Sequence, residues 1–148
     1  MKQTTAMWVL GHKLKPHPTT GDFDMVVFET PAGVPGPPPH LHNNYQEAFL
    51  ILEGEMEFMI NGETRVLKAG ESVDIPSGIL HTFGNKSASP CKWVNVHSPK
   101  GFFDFFKMVG IPEHEEDAIA KSVHPDIIQK VLDHAQDFDM SIPPPVGV

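Results

Sequence analysis

The chain has 148 residues, 15 of them proline, a net charge of −8 and a single arginine, Arg65. One domain of ordinary size fits that length, and 40% hydrophobic with 20% charged residues argues against disorder. The sequence carries no basic run to hold nucleic acid or an anionic membrane surface, so neither is expected as a partner.

The single cysteine, Cys91, excludes an intramolecular disulfide and fits a reducing compartment. Near the N-terminus the apolar-type run Ala6–Gly11 is too short for a signal-peptide core. No stretch reaches the ~18 apolar residues that mark a membrane span. The expectation is a soluble cytoplasmic protein. The high proline content argues for turns and sheet edges and against a helical bundle.

Strand signals come first. "MWVLGHKL" reads as one strand, and "FDMVVFET" follows the turn "TTGD". "EAFLILEG" and "EMEFMING" flank Gly54, with "LEGE" as a hairpin corner. In the second of these, Met56, Phe58 and Ile60 share one face and Glu55 and Glu57 the other. "NGE" at 61–63 is a hairpin turn. "TRVLKAG", "ESVDIPSG", "LHTFGN" and "CKWVNVHS" continue the meander. Eight or so short strands with Gly, Pro and Asn corners predict a sandwich or barrel.

From residue 101 the period changes. Phe102, Phe103, Phe105, Phe106 and Val109 make a stripe at helical spacing, with Gly110 as a stop. "PEHEEDAIAKS" has the acidic start that a helix N-terminus favours. In "HPDIIQKVLDHAQDF", Ile127, Ile128, Val131, Leu132 and Ala135 fall on one side and should pack. The division is a barrel over 1–100 and a helical extension over 101–148, packing on the barrel within the same domain. The tail "PPPVGV" reads as irregular.

The chemistry-bearing residues lie in two segments. In "GPPPHLHNNYQEAFLILEGE", His40 and His42 are two apart, so on a strand they leave the same face about 7 Å apart. Both imidazoles can then reach one ion at ~2.0–2.1 Å. Glu47 is five residues past His42, and on a straight strand it would point the other way. A break at "NNYQ" resets the parity and turns it inward. Phe49 and Ile51 share its face. In "GESVDIPSGILHTFGN", His81, Phe83 and Asn85 alternate on one face, and His81 offers a third imidazole. From these residues alone, a metal site and a set of structural histidines are equally good readings.

Both segments resemble the paired motifs of the cupin superfamily. His40, His42, Glu47 and Gly54 meet the first motif; Gly70, Pro76, Gly78, His81 and Asn85 meet the second without a gap. One departure is the leading glycine of the first motif, which falls at Val34. The whole layout looks like small single-domain cupins of the quercetin dioxygenase-like type. The resemblance implies an all-β double-stranded β-helix, or jelly-roll barrel, with C-terminal packing helices. It also implies a homodimer and one divalent transition metal held by His40, His42, Glu47 and His81. Nitrogen and oxygen donors without thiolate suit Fe, Mn, Ni, Zn or Cu.

The activity implied is that of a metal-dependent dioxygenase on a small aromatic or enolisable substrate, with Glu47 doubling as catalytic base. A non-redox isomerase or lyase, and a small-ligand-binding module without turnover, are the alternatives. Phe49, Ile51, Met56, Phe58 and Phe83 have inward parity and either line an apolar substrate pocket or fill a small barrel. Tyr45 and Gln46 flank the glutamate, at a substrate or in a solvated loop. Trp93, Asn95 and His97 alternate, so Asn95 and His97 would back the site if that face points inward. His12, His17, His114, His124 and His134 read as surface or packing residues. Cys91 reads as a small buried hydrophobe.

Overall fold

The computed structural model describes residues 5–144; residues 145–148 of the expected irregular tail lie outside it. The strands are β1 (Met7–Val9), β2 (His12–His17), β3 (Asp24–Thr30), β4 (Gln46–Glu53), β5 (Glu55–Ile60), β6 (Glu63–Lys68), β7 (Ser72–Ile75), β8 (His81–Gly84), β9 (Cys91–Ser98) and β10 (Ile111–Pro112). Three helices follow the barrel strands: α1 (Phe103–Val109), α2 (Ala118–Ser122) and α3 (Pro125–His134), with a 3-10 turn at Ala135–Phe138.

The strands form two antiparallel sheets. One has seven strands in the order β10-β1-β2-β3-β9-β4-β7; the other has three, β6-β5-β8. From β4 to β9 the chain passes repeatedly between the two sheets, which is the winding of a double-stranded β-helix.

That winding corrects the expected meander. "LEGE" is not a hairpin, because β4 and β5 lie in different sheets. Gly54 is instead the corner between them, at φ 79°, and a Cβ there would strike the Pro90 carbonyl oxygen. Likewise β6 and β7 are not neighbours; β7 pairs with β4. "MWVLGHKL" is two strands. Leu10 and Gly11 both take positive φ, and β1 folds back on β2 with Val9 opposite His12. The hairpin at Asn61–Gly62 forms as the sequence indicates, joining β5 to β6.

Alternation places the core. On β9, Cys91, Trp93, Asn95 and His97 are all buried, and on β4 so are Glu47, Phe49 and Ile51. The aromatic heart stacks Phe28 on Trp93 at 4.4 Å and sets Phe49 against Phe58 at 5.0 Å. Phe102, Phe105, Phe106 and Val109 from the α1 segment join the same core, as do Val131, Ala135 and Met140.

Two helix expectations are corrected. Residues 113–117 stay outside α2, with Asp117 left-handed at φ 56°. On α3 only part of the apolar side packs: Ile128 and Leu132 remain 46% and 49% exposed. Among the described residues, no helix is long and apolar enough to cross a membrane.

Candidate metal centre

His40 sits in an extended segment stiffened by Pro37, Pro38 and Pro39, where φ is fixed and amide donors are missing. It exchanges backbone hydrogen bonds with His81 at 3.0 and 2.9 Å. That bridge lays the two histidine-bearing segments side by side, with ring centroids 4.4 Å apart. The chain then leaves extended geometry at Asn43–Tyr45, and β4 begins at Gln46. Glu47 therefore points inward, toward His40, His42 and His81.

The four side chains are buried, and each offers a ligand atom within 4.8 Å of the others. His81 Nε2 lies 2.7 Å and His42 Nε2 3.1 Å from Glu47 Oε2. Yet His42 Nε2, His81 Nε2 and Glu47 Oε2 have no aligned hydrogen-bond partner. Buried polar atoms left this way call for a partner. All four ligand atoms lie near enough to one another to share one ion.

The outer nitrogens explain why the inner ones are free. His40 Nδ1 donates to the Pro38 carbonyl (3.0 Å), His42 Nδ1 to that of Asp139 (3.0 Å) and His81 Nδ1 to that of Ile79 (2.9 Å). A carbonyl can only accept, so Nδ1 carries the proton in each ring, and in the neutral imidazole Nε2 is left with its lone pair. Such carbonyl partners also fix ring orientation. The donor set and its orphaned atoms fit a divalent transition ion.

Electrostatics favour an anionic Glu47. Burial by itself pushes its carboxyl up, but His97, and after it the close ring nitrogens of His42 and His81, outweigh burial and hold the carboxyl well below the usual range. For His81, burial works downward, but Glu47 beside it raises the imidazole above its ordinary value. Burial, then the charge of His81, lowers His40 to about 4, so that ring is neutral at pH 7.

Glu47 divides its two oxygens. Oε2 faces His42 and His81; Oε1 lies 2.9 Å from His97 Nε2 and 3.3 Å from Asn95 Nδ2. The inward β9 face thus supports Glu47 from behind, where the alternation of Asn95 and His97 pointed. His97 in turn stacks on Phe102 at 4.1 Å.

A cavity of ≈ 80 Å³ adjoins the cluster. His40, His42, Glu47, Asn95 and His97 form its polar side, and Phe28, Phe83, Trp93, Phe102, Phe105 and Phe106 its aromatic walls. Leu10, Val131, Met140 and Ile142 contribute from the first hairpin and the C-terminal region. Among the described residues, no lysine or arginine lines it.

Of the residues expected at a pocket, Phe83 alone lines this cavity. Phe49, Ile51 and Phe58 are 0–1% exposed and fill the barrel below it. Their parity is inward as the alternation indicates, but parity carries no depth. Tyr45 is part-buried; its ring lies 6.0 Å from His42 and 5.4 Å from Phe102.

Two contributors were not legible. His12, expected at the surface or in packing, is buried in the cavity wall. Its Nε2 donates to the Pro35 carbonyl (3.0 Å) and its Nδ1 accepts from Thr30 Oγ1 (2.8 Å), which itself accepts from Trp93 Nε1 (2.9 Å). Its alternation with the buried Leu14 was the available signal. Asp139, whose carbonyl holds His42, had no local signal at all. Cys91 is fully buried at the far end of β9, and burial pushes its thiol up to about 11.

Fold and site together define a double-stranded β-helix with a buried cluster of three histidines and one carboxylate that can hold a metal ion. Residues 26–97 match the family model described as a Cupin domain.

Over 57 residues the chain is 42% identical to the HTH-type transcriptional regulator PuuR of Escherichia coli (strain K12), covering 38% of this chain and 31% of that one. Over 69 residues it is 30% identical to the quercetin 2,3-dioxygenase of Bacillus subtilis (strain 168), covering 47% and 20%. The chain thus spans about a third or less of the length of these curated relatives. Among solved structures, an RmlC-like cupin from Shewanella frigidimarina superimposes with a TM-score of 0.60 at 21% identity, over 71% of this chain and 92% of that one.

Proposed function

We propose that this protein holds one divalent transition metal through His40, His42, Glu47 and His81 and acts as a dioxygenase on a compact, apolar, aromatic or enolisable substrate. One observation carries the reading: three Nδ1-tethered imidazoles and a buried carboxylate converge at the polar side of an aromatic cavity. The partial similarity to quercetin 2,3-dioxygenase supports the reaction class.

Held by these residues, a divalent ion would supply Lewis-acid or redox chemistry for a substrate oxygen. The protein's own residues do the rest. The carbonyls of Pro38, Asp139 and Ile79 hold the imidazoles in one tautomer. His97 and Asn95 hold Glu47 Oε1. Glu47 accepts the proton that an enolisable substrate gives up. The aromatic walls exclude water, and with no cation among them they offer nothing to a phosphate or carboxylate.

The test has two arms. Elemental analysis of protein purified without chelator should give near-stoichiometric metal in wild type and loss in His40→Ala/His42→Ala; no metal in wild type sinks the reading. Metal-loaded protein should then consume dioxygen with small catechols or diketones. A second reading, ligand binding without turnover, draws on the 42% identity to a transcriptional regulator. Tight binding of such compounds with no oxygen consumed would select it.

A further inference from the structure

The segment after the 3-10 turn, residues 139–142, is sewn to the loop that bears His42. The Asp139 carboxylate accepts three consecutive amides: Asn43 at 3.1 Å on Oδ1, and Asn44 at 2.7 Å and Tyr45 at 3.3 Å on Oδ2. Its carbonyl accepts from His42 Nδ1 at 3.0 Å. Two residues on, Ser141 and Leu41 exchange backbone bonds at 2.9 and 3.0 Å. Met140 and Ile142, between and beyond these contacts, form part of the cavity wall.

Asn43–Tyr45 is also where the chain must break for Glu47 to turn inward. Outside a strand ladder, those three amides need another acceptor. One carboxylate takes all of them, and charge makes such bonds stronger than neutral ones. Asp139 lies beyond residue 97, where the cupin match ends. It has a left-handed backbone at φ 58°, which aspartate tolerates better than most residues.

We propose that Asp139 is a positioning residue for the metal centre, and that ion binding at His42 and docking of the 139–142 strap over the cavity are coupled. The proposal rests on the metal reading above. An ion that needs His42 aimed inward favours the docked strap, and by reciprocity a docked strap favours the ion by the same factor. Release of Met140 and Ile142 would open one wall, giving substrate a way in.

The test uses the full chain with Zn(II) and Ni(II) as probes. Calorimetric titration should show about 10- to 100-fold weaker binding in Asp139→Gly, with Asp139→Asn in between. Glycine keeps the left-handed backbone without the carboxylate; asparagine keeps one acceptor oxygen but turns an NH2 toward an amide. In wild type, the ion should slow amide hydrogen exchange at Asn44, Tyr45 and Ser141, but not in the β5–β6 hairpin. That measurement decides the matter even if both variants fail to fold. Wild type that binds the ion with unchanged exchange at Ser141, or folded variants of equal affinity, overturns the coupling alone. Wild type that binds neither ion overturns the metal reading, and this proposal with it.

Discussion

Replacing His97 by phenylalanine deletes both ring nitrogens, of which Nε2 faces Glu47, and keeps a ring in place. His97 is 3% exposed and stacks on Phe102 with planes 12° apart, so a phenyl group, a somewhat larger ring, keeps the stack. What disappears is Nε2, 2.9 Å from Glu47 Oε1, leaving only Asn95 at 3.3 Å. Hydrogen bonds to charged groups contribute about 1.5–3 kcal/mol. His97 Nε2 is close but not aligned, so the low end applies, about 1.5–2 kcal/mol. In a chain of this size that is about 6–8 °C of melting temperature for the metal-free protein at pH 7.

The pH dependence should move too. A carboxyl held low in the folded state stabilises above its unfolded pKa, and that stability is lost as pH falls through the folded value. His97 is the main influence opposing burial at Glu47, so its loss raises the folded value and brings acid destabilisation to higher pH. Calorimetric melting in chelator from pH 7 down to 4 measures both effects. A melting temperature within about 2 °C of wild type, with an unmoved acid limb, would refute the role given to His97.

Other outcomes follow from single features. Burial lowers His12 from 6.5 to about 4, so the unfolded chain takes up its proton first as pH falls; its stabilisation is intact above 6.5 and lost toward 4. The difference is about 3 kcal/mol, and His12→Gln should flatten that part of the stability–pH curve of the metal-free protein. Phe58→Ala should cost about 3–5 kcal/mol in urea unfolding yet leave metal stoichiometry unchanged, because the ring fills the barrel and does not line the cavity. Gly54→Ala meets both a positive φ and the Pro90 carbonyl, and should lower stability by about 2 kcal/mol, read by the same unfolding assay.

Periodicity and turn chemistry carried much of this protein openly. Alternation along "EAFLILEG" and "CKWVNVHS" pointed to the residues that face inward, because a strand side chain has only two directions to choose from. The Asn-Asn after His42 marked the break that lets Glu47 turn toward the histidines. Asn-Gly at 61–62 named its own hairpin. Two-residue spacing put His40 and His42 within reach of one point, and the fold honours it.

Other features depended on contacts between distant segments, which no local pattern encodes. Whether "LEGE" closes a hairpin or crosses between sheets was decided by which strands β4 and β5 pair with. The cavity's aromatic walls come partly from α1, whose stripe told only that it packs, not against what. How deep Phe49 and Phe58 lie was settled by the winding of the barrel, since parity carries direction without depth. Asp139 reaches the His42 loop from the other end of the chain; its three amide bonds exist because the fold leaves those amides without a strand partner and brings a carboxylate beside them. The sequence alone thus determined which side chains alternate inward and that His40 and His42 share a face, while tertiary structure decided what holds them, what closes over them and how much room is left.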